Sequence, residues 1–550
     1  MMIFISLSWS GQIKFKDYAQ KRGLDFKHDH GGSGKYYYVE SMGSGVCIFD
    51  YDNDGDMDVY LVQSAPLPDW DKELILENKL FRNDGYKWKD VTDEAKVGNR
   101  DYGMGCACGD FDNDGAVDLY VTNFGQDILY RNNGDGTFID ITKNRGIDNP
   151  AMGMSAAFFD SDNDGWLDLY VTNYVNYSID DNPECTSPMQ YPIDGVLFAR
   201  SYCDPDIFLG VEDKFYYNKK GTFIDRSNRS GIGRYKLRGM GVVTGDVDDD
   251  GDTDVYVAND KDMNLLFINN GKGRFTESAM ITGTGYNGNG LAEAGMGVDL
   301  GDIDRDGHLD IYVTNYSGET NTLYHNRGQG LFIDETNERG LGKSSIHFLA
   351  FGTKFADLNL DGWLDIFVGN GHVIDNINLF NEQYEHSQHN QIYTNGSGIY
   401  RDKTLNIGGD MLDKAVSRGV ASVDIDNDGD IDFIISNNND SLSLLINEGK
   451  PSNNWIGFYL EGTISNRQAI GSKIKIMTRA GIQTAWVNPS GSYLSSNDQR
   501  VVFGLERDKI VDKVEIFWPG DLKEVFSDLK SNKYYRIIQG VSMKVIDDER

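Results

Sequence analysis

The sequence contains few cysteines, few prolines and a small share of positive charge. Five cysteines among 550 residues cannot form a dense disulfide framework, so a hydrophobic core must stabilise the fold. Lys and Arg number 52 against 86 Asp and Glu, which gives a formal net charge of −34. Because nucleic acids and anionic membrane surfaces attract clustered Lys and Arg, this balance argues against both as partners.

Long apolar segments are equally scarce. No run of 18 or more apolar residues occurs, and the sequence therefore predicts no membrane-spanning helix. Residues 1–10 are apolar but short, and no basic residue precedes them. We interpret this segment as the remnant of a secretion signal or as an incorrectly assigned start.

Glycine and aromatic residues, in contrast, are abundant, and an acidic motif repeats along the chain. The 63 glycines, 30 tyrosines and 27 phenylalanines are typical of a β protein with many tight turns and do not suit disorder. The nine-residue pattern D-x-[DN]-x-D-G-x-x-D occurs seven times, about 60 residues apart. Of its 28 acidic positions, 27 hold Asp and one holds Asn359. The copies begin at Asp50, Asp110, Asp160, Asp246, Asp302, Asp357 and Asp424.

Short apolar segments flank each motif. A small-residue strand precedes it, as in residues 103–109 (GMGCACG), and an apolar strand follows it, as in residues 118–123 (DLYVTN). Two more short strands complete each unit, as in residues 129–132 (LYRN) and 137–140 (TFID). Seven units of four strands predict an all-β fold, a seven-bladed β-propeller. The propeller is assigned to residues 11–450, and alternating apolar residues predict a small β-sandwich over 451–545.

The seventh unit lacks its fourth strand. The pattern is lost after residues 445–447, whereas an orphan strand of the same type, residues 13–17 (IKFKD), precedes the first motif. We expect this orphan strand to pair with the edge of the last blade and so to close the ring. The tail is expected to fold independently, so that its removal would leave an intact ring.

The acidic motif has the spacing of a calcium-binding loop. Carboxylates at positions 1, 3 and 5 point inward, Gly at position 6 permits a sharp turn, the carbonyl of position 7 faces the ion, and Asp at position 9 completes the cage. All-oxygen ligation favours Ca²⁺ over Zn²⁺ or Mg²⁺, and the missing Glu at position 12 disfavours a sensor EF-hand. The alternative, that the motifs are solvated turns, fits seven copies in matched strand context poorly.

The predicted metal ligands are positions 1, 3, 5, 7 and 9 of each loop, with position 7 contributing its carbonyl. They are Asp50, Asp52, Asp54, Asp56 and Asp58; Asp110, Asp112, Asp114, Ala116 and Asp118; Asp160, Asp162, Asp164, Trp166 and Asp168; Asp246, Asp248, Asp250, Asp252 and Asp254; Asp302, Asp304, Asp306, His308 and Asp310; Asp357, Asn359, Asp361, Trp363 and Asp365; and Asp424, Asp426, Asp428, Asp430 and Asp432.

The cysteines divide into two groups. Cys185 and Cys203 lie in a loop-like insert beside prolines and are predicted to form a disulfide. Cys106 and Cys108 alternate on a predicted buried strand, where we interpret them as small hydrophobic residues.

The repeat units resemble FG-GAP/VCBS repeats, the propeller repeats also found in integrin α-chains. Residues 462–472 (GTISNRQAIGS), 491–496 (GSYLSS), 503–505 (FGL) and 518–520 (WPG) resemble the ASPIC/UnbV domain. This pairing is typical of bacterial relatives of the cartilage acidic protein family, which residues 26–28 (FKH), 40–43 (ESMG) and 370–372 (NGH) also resemble. The resemblance implies an exported, calcium-loaded protein with a binding or scaffolding role.

Two functions of different kinds fit the sequence. The first is a calcium-binding interaction protein, a scaffold or adhesion-like propeller located outside the cell, in the periplasm or at the cell surface, with a protein or glycan ligand. The alternative is a biosynthetic or modifying enzyme with its site at the propeller axis. No G-x-S-x-G, H-E-x-x-H or G-x-x-x-x-G-K-[ST] motif occurs, and no Rossmann glycine fingerprint occurs in strand–helix context, so hydrolase and nucleotide-enzyme functions lack support.

The enzyme alternative depends on polar residues where the blades converge. A pocket at the axis that gathers such residues with shifted pKa values would favour the enzyme, and a shallow polar axis would favour the interaction protein. The spacing of two of the histidines, H-x-x-H, could also chelate a metal. The candidates are His28, His30, Glu40, His372, Tyr384, His386, His389 and Arg418.

Overall fold

Strands dominate the protein. The computed structural model describes residues 13–193, 195–449, 452–520 and 522–546, so the predicted signal remnant, residues 1–10, lies outside the described residues. The predicted all-β class is confirmed. Within these ranges, no helix is long and apolar enough to cross a membrane. The helices are single turns at Ala19–Arg22, Thr92–Ala95, Ser227–Ser230, Ala279–Thr282, Gly342–Ser345 and Thr404–Ile407, with 3₁₀ turns at Tyr38–Ser41, Lys143–Arg145, Pro205–Ile207, Ile232–Arg234, Ile377–Leu379 and Gly409–Leu412.

Seven four-stranded antiparallel sheets, which we call blades 1 to 7, make up the described chain up to residue 449. Each acidic motif, loops one to seven, joins the first and second strands of its blade. The strands, first to fourth, are Val46–Phe49, Asp58–Leu61, Lys79–Asn83, Trp88–Asp90; Gly103–Gly109, Asp118–Asn123, Ile128–Asn132, Phe138–Asp140; Gly153–Phe159, Asp168–Asn173, Lys214–Asn218, Phe223–Asp225; Gly239–Gly245, Asp254–Asn259, Leu265–Asn269, Phe275–Glu277; Val298–Gly301, Asp310–Val313, Thr322–Asn326, Phe332–Asp334; Ala350–Ala356, Asp365–Asn370, Gln391–Asn395, Tyr400–Asp402; and Ser417–Val423, Asp432–Asn437, Ser443–Asn447, Phe15–Asp17.

The blades form a closed ring. Their first strands contact one another in chain order, and the first strand of blade 7 contacts that of blade 1. A buried apolar cluster fills each junction between adjoining blades. The strands therefore carry apolar residues on both faces. This architecture is a β-propeller.

The N-terminal strand closes blade 7, as predicted. Phe15–Asp17 pairs antiparallel with Ser443–Asn447, and Phe15 lies opposite Asn447. The Phe15 ring is 2% exposed and packs 5.8 Å from the ring of Phe433. The two ends of the propeller are therefore joined by hydrogen bonds and by apolar contact.

The C-terminal segment forms two four-stranded sheets that enclose an apolar cluster. Trp455–Glu461 pairs in parallel with Tyr534–Ile538, and the other pairs are antiparallel. The sheets, in strand order, are Val501–Gly504, Trp455–Glu461, Tyr534–Ile538, Ser542–Ile546; and Gly481–Trp486, Lys473–Thr478, Ile510–Phe517, Lys523–Lys530.

The tail, whose independent folding stays a prediction, contacts the ring. The tail loop, residues 488–500, enters the propeller axis, where Tyr493 and Leu494 are fully buried. The Tyr493 hydroxyl donates to the carbonyl of Met42 at 3.1 Å, and Leu494 N donates to Ser155 Oγ at 3.0 Å. Glycines of the inner strands make room, since a Cβ on Gly45 would lie 2.4 Å from the Leu494 carbonyl oxygen. Removing the tail would thus uncover the apolar axis.

Disulfides occur at two places in the described chain. Cys185 and Cys203 are bonded, as predicted, with Cα atoms 5.2 Å apart, and they join the ends of an insert in blade 3. Cys106 is bonded to Cys47, with Cα atoms 6.0 Å apart, so its interpretation as a small hydrophobic residue was wrong. Cys47 and Cys106 lie on the first strands of blades 1 and 2. These two strands come together only when the ring folds. Cys108 is a buried free thiol.

Short two-stranded sheets lie outside the blades. The insert contains the hairpin Cys185–Ile193 and Val196–Ser201. The other pairs are Val211–Glu212 with Lys236–Leu237 and Gln388–His389 with Lys414–Ala415.

The closing strand gives a first prediction. Phe15→Ala should lower the free energy of unfolding by about 3 kcal/mol, because a buried ring is lost at the junction that closes the propeller. Lys16→Ala, on the exposed face of the same strand, is the control and should change it by less than about 0.5 kcal/mol. Urea denaturation followed by far-UV circular dichroism measures both. Equal effects would contradict a role of this strand in closing the ring.

The tail loop gives a second prediction. Tyr493→Ala should destabilise the whole chain by about 3 kcal/mol, because the aromatic side chain of Tyr493 fills the propeller axis. Tyr493→Phe loses only one hydrogen bond, worth about 1 kcal/mol. Ile482→Ala, at a tail position 44% exposed, is the control. In calorimetry, a Tyr493→Ala protein whose propeller melts at the wild-type temperature would show that the tail is independent after all.

Candidate metal sites and an axial chamber

The seven acidic loops share one backbone conformation. Positions 4 and 6 have positive φ in every copy, with φ of 60° at Asn53 and 94° at Gly55 in loop one. Position 6 is always Gly, which adopts this conformation without strain, and position 4 is mostly Asn or Asp, which tolerate it. The repeated residue types therefore determine the turn that gathers the carboxylates.

Backbone N–H groups hold the carboxylate of position 1. In loop one, Asp54 N and Gly55 N donate to the two oxygens of Asp50 at 3.1 and 2.9 Å, and Asp56 N donates to Asp54 Oδ1 at 2.9 Å. Loops two, three, four, six and seven repeat both bonds to position 1.

The carboxylate of position 9 is buried and ties the loop to the blade. Asp118 accepts the N–H of Phe111 at 3.1 Å and that of Asn132, the last residue of the third strand, at 2.8 Å. The Asn132 side-chain amide donates to the carbonyl of Tyr51, in loop one of the preceding blade, at 2.8 Å. Both bonds to position 9 occur in all seven loops. The amide bond to the preceding blade recurs in blades 3 to 7.

The carboxylate of position 3 leaves an oxygen without a partner. In four loops, Oδ1 of this residue is buried and makes no hydrogen bond; the residues are Asp52, Asp112, Asp162 and Asp304. A buried carboxylate oxygen needs a hydrogen-bond donor or a cation, because desolvation alone is costly. The same orphan atom at one repeated position fits a cation held inside the loop.

Burial also raises the pKa values of these acids. Desolvation raises the pKa of Asp50 to about 6, that of Asp110 to about 7 and that of Asp58 to about 9. Neighbouring aspartates of the same loop add to the shift, because their negative charges disfavour ionisation. A divalent cation would offset both costs and favour the ionised state.

Three of the predicted ligands come together in each of loops one to four. Acidic ligand atoms that could hold one ion lie within 4.8 Å of one another in loops one to four, for example those of Asp50, Asp52 and Asp58. Loop five differs, because its group is Asp304, Asp310 and His325. His325 lies on the third strand and was missed by the sequence analysis. Its signal was present, since it occupies a place held by Arg, Tyr, Ile or Thr in the other blades.

The loops lie on the face of the propeller that the tail covers. The sequence did not predict this contact between loops and tail. The amide oxygen of Gln468 accepts Asp110 N at 2.7 Å, and Arg467 N donates to Asn113 Oδ1 at 3.0 Å. At loop seven, the Tyr534 hydroxyl donates to Asp424 Oδ2 at 2.6 Å. The loops are thus not fully exposed turns, because residues of the tail contact several of them.

A chamber of about 250 Å³ lies at the propeller axis. Its wall is mostly apolar and includes Met42, Met240, Met296 and Phe351. The disulfide-bridged insert covers one side with Tyr202, and carboxylates of Asp204, Asp260 and Glu319 provide polar edges beside Lys261. Burial raises the pKa of Asp260, whose carboxylate accepts the Tyr174 hydroxyl, to about 6.

The described lining of this chamber includes none of the candidate axial residues. Arg418 is 1% exposed, donates to the carbonyls of Ser41 and Gly371 at 2.9 and 3.0 Å, and stacks 3.9 Å from the centre of the Phe351 ring. Its pKa is lowered to about 9 because burial removes water from the guanidinium.

The candidate histidines are held by protein contacts. Burial lowers the pKa of His28 and of His372 to about 3, so both rings are neutral. His372 Nδ1 accepts Ile374 N at 3.0 Å, and His28 Nδ1 accepts Asn439 N at 3.0 Å. The His389 ring packs on Phe348, whereas His386 lies near His372, so the two rings of the H-x-x-H pair face different neighbours.

Of the three remaining candidates, Glu40 contacts the insert. The Tyr202 hydroxyl donates to Glu40 Oε2 at 2.7 Å, and Glu40 Oε1 accepts Tyr37 N at 2.9 Å. His30 Nδ1 accepts Gly32 N at 2.9 Å, and burial lowers the pKa of this ring. Tyr384 stacks near His372, with ring centres 6.2 Å apart.

Fold and loops together define a repeat β-propeller whose blades each carry an acidic loop. An FG-GAP-like repeat model matches residues 50–121, 110–171, 246–313 and 302–368, and an ASPIC and UnbV model matches residues 462–544. The chain therefore carries FG-GAP repeats followed by an ASPIC/UnbV domain, and it is homologous to cartilage acidic protein 1.

The similarity to cartilage acidic protein 1 extends over most of the chain. The human protein is 23% identical over 542 residues, which cover 95% of this chain and 67% of the human protein. The mouse protein is 25% identical over 368 residues, which cover 64% of this chain and 53% of the mouse protein. About half of the mouse protein thus lies outside the region that matches this chain.

The chain is also similar, at low TM-scores, to solved structures. An Agrocybe aegerita lectin that recognises non-reducing terminal N-acetylglucosamine has a TM-score of 0.36 and 15% identity, with 66% of this chain and 79% of the lectin covered. The rhamnogalacturonan lyase YesW has a TM-score of 0.35 and 11% identity, with 79% of this chain and 75% of the lyase covered.

Proposed function

We propose that the protein is an exported, calcium-binding β-propeller that acts as an interaction protein. The observation that carries the calcium assignment is the orphan buried oxygen at position 3, which recurs in loops one, two, three and five. Several carboxylates and a backbone carbonyl form the oxygen-rich donor set that Ca²⁺ prefers. The ions would be structural, because the loops connect strands and adjoin the tail instead of opening into a cleft.

An interaction role is supported by the insert of blade 3. Its hairpin exposes large apolar side chains, among them Tyr191, Leu197 and Phe198 at 64%, 58% and 55%. Exposed apolar groups that cluster on one hairpin suit contact with another molecule, such as a protein or glycan. We divide the chain into a propeller, residues 11–450, and an ASPIC/UnbV-like domain, residues 451–545.

Export is supported by the disulfides and by the calcium requirement. Disulfides persist in oxidising compartments, and extracellular calcium-binding modules work at about 10⁻⁴ to 10⁻³ M. A location outside the cell, in the periplasm or at the cell surface satisfies both conditions.

Calcium removal should destabilise the protein. A site with free calcium at ten times its Kd contributes about 1.4 kcal/mol, so chelation of several sites should lower the melting temperature markedly. Asp110→Ala should remove one calcium ion per chain and part of this stabilisation, whereas Asp181→Ala, an exposed acid outside the motifs, is the control. Elemental analysis and calorimetry with and without chelator measure both. No bound calcium and an unchanged melting temperature would refute the assignment.

Loop six should release calcium before most of the others. Asn359 supplies an oxygen without a charge, so its attraction for the ion is weaker than that of Asp. Asn359→Asp should raise the calcium retained during stepwise chelation, and an unchanged release profile would show that position 3 does not contact the ion.

A second function, a ligand site at the axis, is favoured by the enclosed chamber. The blades and the bridged insert enclose it, and Tyr493 of the tail loop packs against Phe351 of its wall. Mass spectrometry after denaturation should detect a small molecule released from the wild type. Ser187→Trp, on the wall, should reduce it at least tenfold, and Thr186→Trp, exposed on the same strand, should not. Nothing released from the wild type would show that the chamber is only a packing void.

A further inference from the structure

We infer that the axial chamber takes a small organic amine, whose ammonium group lies against the carboxylate of Asp260 and whose apolar body fills the rest of the cavity. The inference rests on the second proposed function, because it names the class of ligand that the chamber would hold. It starts from the side chain of Asp260, which lines the chamber in a residue only 7% exposed.

One carboxylate oxygen of Asp260 has no partner. The Tyr174 hydroxyl donates to Oδ2, and the Tyr38 hydroxyl lies 2.7 Å from that of Tyr174. Within the described residues, Oδ1 accepts no hydrogen bond and the carboxylate forms no ion pair. Burial raises the pKa of this acid to about 6, so most of it is ionised at neutral pH. A buried charge without a counter-charge is costly, and a cation in the chamber would offset that cost.

The cations nearest to Asp260 are bound to other acids. Lys261 Nζ lies 2.7 Å from both carboxylate oxygens of Asp204 and 3.0 Å from Asp206 Oδ2. Arg238 Nη1 donates to Asp206 Oδ1 at 2.6 Å. Both cations are therefore already paired, and neither neutralises Asp260 by direct contact.

A second carboxylate lies on the same wall of the chamber. Asp260 forms a β-bridge with Ala294, and Glu319 Oε2 accepts Ala294 N at 2.9 Å. After burial, the negative charge of Glu319 also raises the pKa of Asp260, so the two acids lie within electrostatic range of each other. The ring of Tyr316 lines the chamber as well. Carboxylates and the faces of tyrosine rings both attract an ammonium group.

The remaining wall suits an apolar body. Met42, Met240, Met296 and Phe351 line it, and thioether side chains adapt to apolar ligands of irregular shape. The volume of about 250 Å³ is below the range of about 300–1,000 Å³ that is usual for drug-sized ligands, so the amine is small. An inorganic cation would need several oxygen ligands, which methionine and phenylalanine do not supply.

Asp260 is also a departure from the repeat. It is the seventh residue counted from position 9 of its loop, and the other blades hold no charged residue at this place. In blades 1 to 3 and 5 to 7 the residues are Ser64, Phe124, Tyr174, Tyr316, Gly371 and Asn438. A carboxylate thus replaces neutral residues at the one copy of this place where it lines the chamber beside a second acid.

The test is a calorimetric titration of the full chain at neutral pH with matched probes. 2-Phenylethylamine and hexylamine should bind with a Kd below about 1 mM. 2-Phenylethanol and phenylacetate keep the ring and lack the positive charge, so they should bind at least about tenfold more weakly than 2-phenylethylamine. A crystal structure of the complex should place the ammonium nitrogen about 2.7–2.9 Å from Asp260 Oδ1.

Variants separate the charge of Asp260 from its shape. Asp260→Asn keeps the size of the side chain and an oxygen for the Tyr174 hydroxyl, yet it should weaken amine binding at least about tenfold and abolish the preference for the amine over the alcohol. Asp181→Asn removes the same charge at an exposed position and is the control, with the Kd expected to change less than about twofold.

Each outcome decides the inference. No binding of either amine, equal binding of amine and alcohol by the wild type, or unchanged amine affinity in Asp260→Asn overturns it, and the first two comparisons need no variant to fold. Binding of the alcohol or the carboxylate that Ser187→Trp abolishes would show that the chamber holds ligands of another class. In that case the second proposed function survives the failure of this inference.

Discussion

The buried aspartate at position 9 of each loop is the constraint on which the rest of the structure depends. Asp118 joins its own loop to the third strand of its blade, and Asn132 of that strand reaches the loop of the preceding blade. The interaction repeats around the ring, so loop geometry and the junctions between blades are one network. A buried carboxylate network is stable only if each oxygen has a partner, which makes the propeller sensitive to the content of its loops.

The tail extends this network to the centre of the ring. Gln468 and Tyr534 bond to position 1 residues of loops two and seven, while the tail loop fills the axis with Tyr493 and Leu494. The apolar axis needs the tail, because glycines of the inner strands leave space that no blade fills. Hydrogen bonds and apolar contacts therefore connect loops, ring and tail, although they are separate in sequence.

The sequence predicts those parts of the structure that depend on local periodicity. Repeat length, strand order and the motif conformation follow from residue spacing, and the orphan strand at Phe15 follows from a missing fourth strand. The insertion of the tail loop could not be predicted, since residues 488–500 have no regular period. The Cys47–Cys106 bond joins two blades that adjoin only in the ring. His325 was visible in the sequence as a departure, but its contact with Asp304 depends on how strand and loop face each other.

Two independent features of the chain suit the same environment. If they bind calcium as proposed, the acidic loops would gain stabilising ions only where calcium is abundant, and the bonds Cys47–Cys106 and Cys185–Cys203 persist only where thiols are oxidised. Cys47–Cys106 links the first two blades at the axis, so it would reinforce the same ring whose blades the loops connect. Cys185–Cys203 instead fixes the insert that covers the chamber. A single environment would thus stabilise both the ring and the insert that covers the chamber. Export and calcium binding therefore support each other as one proposal.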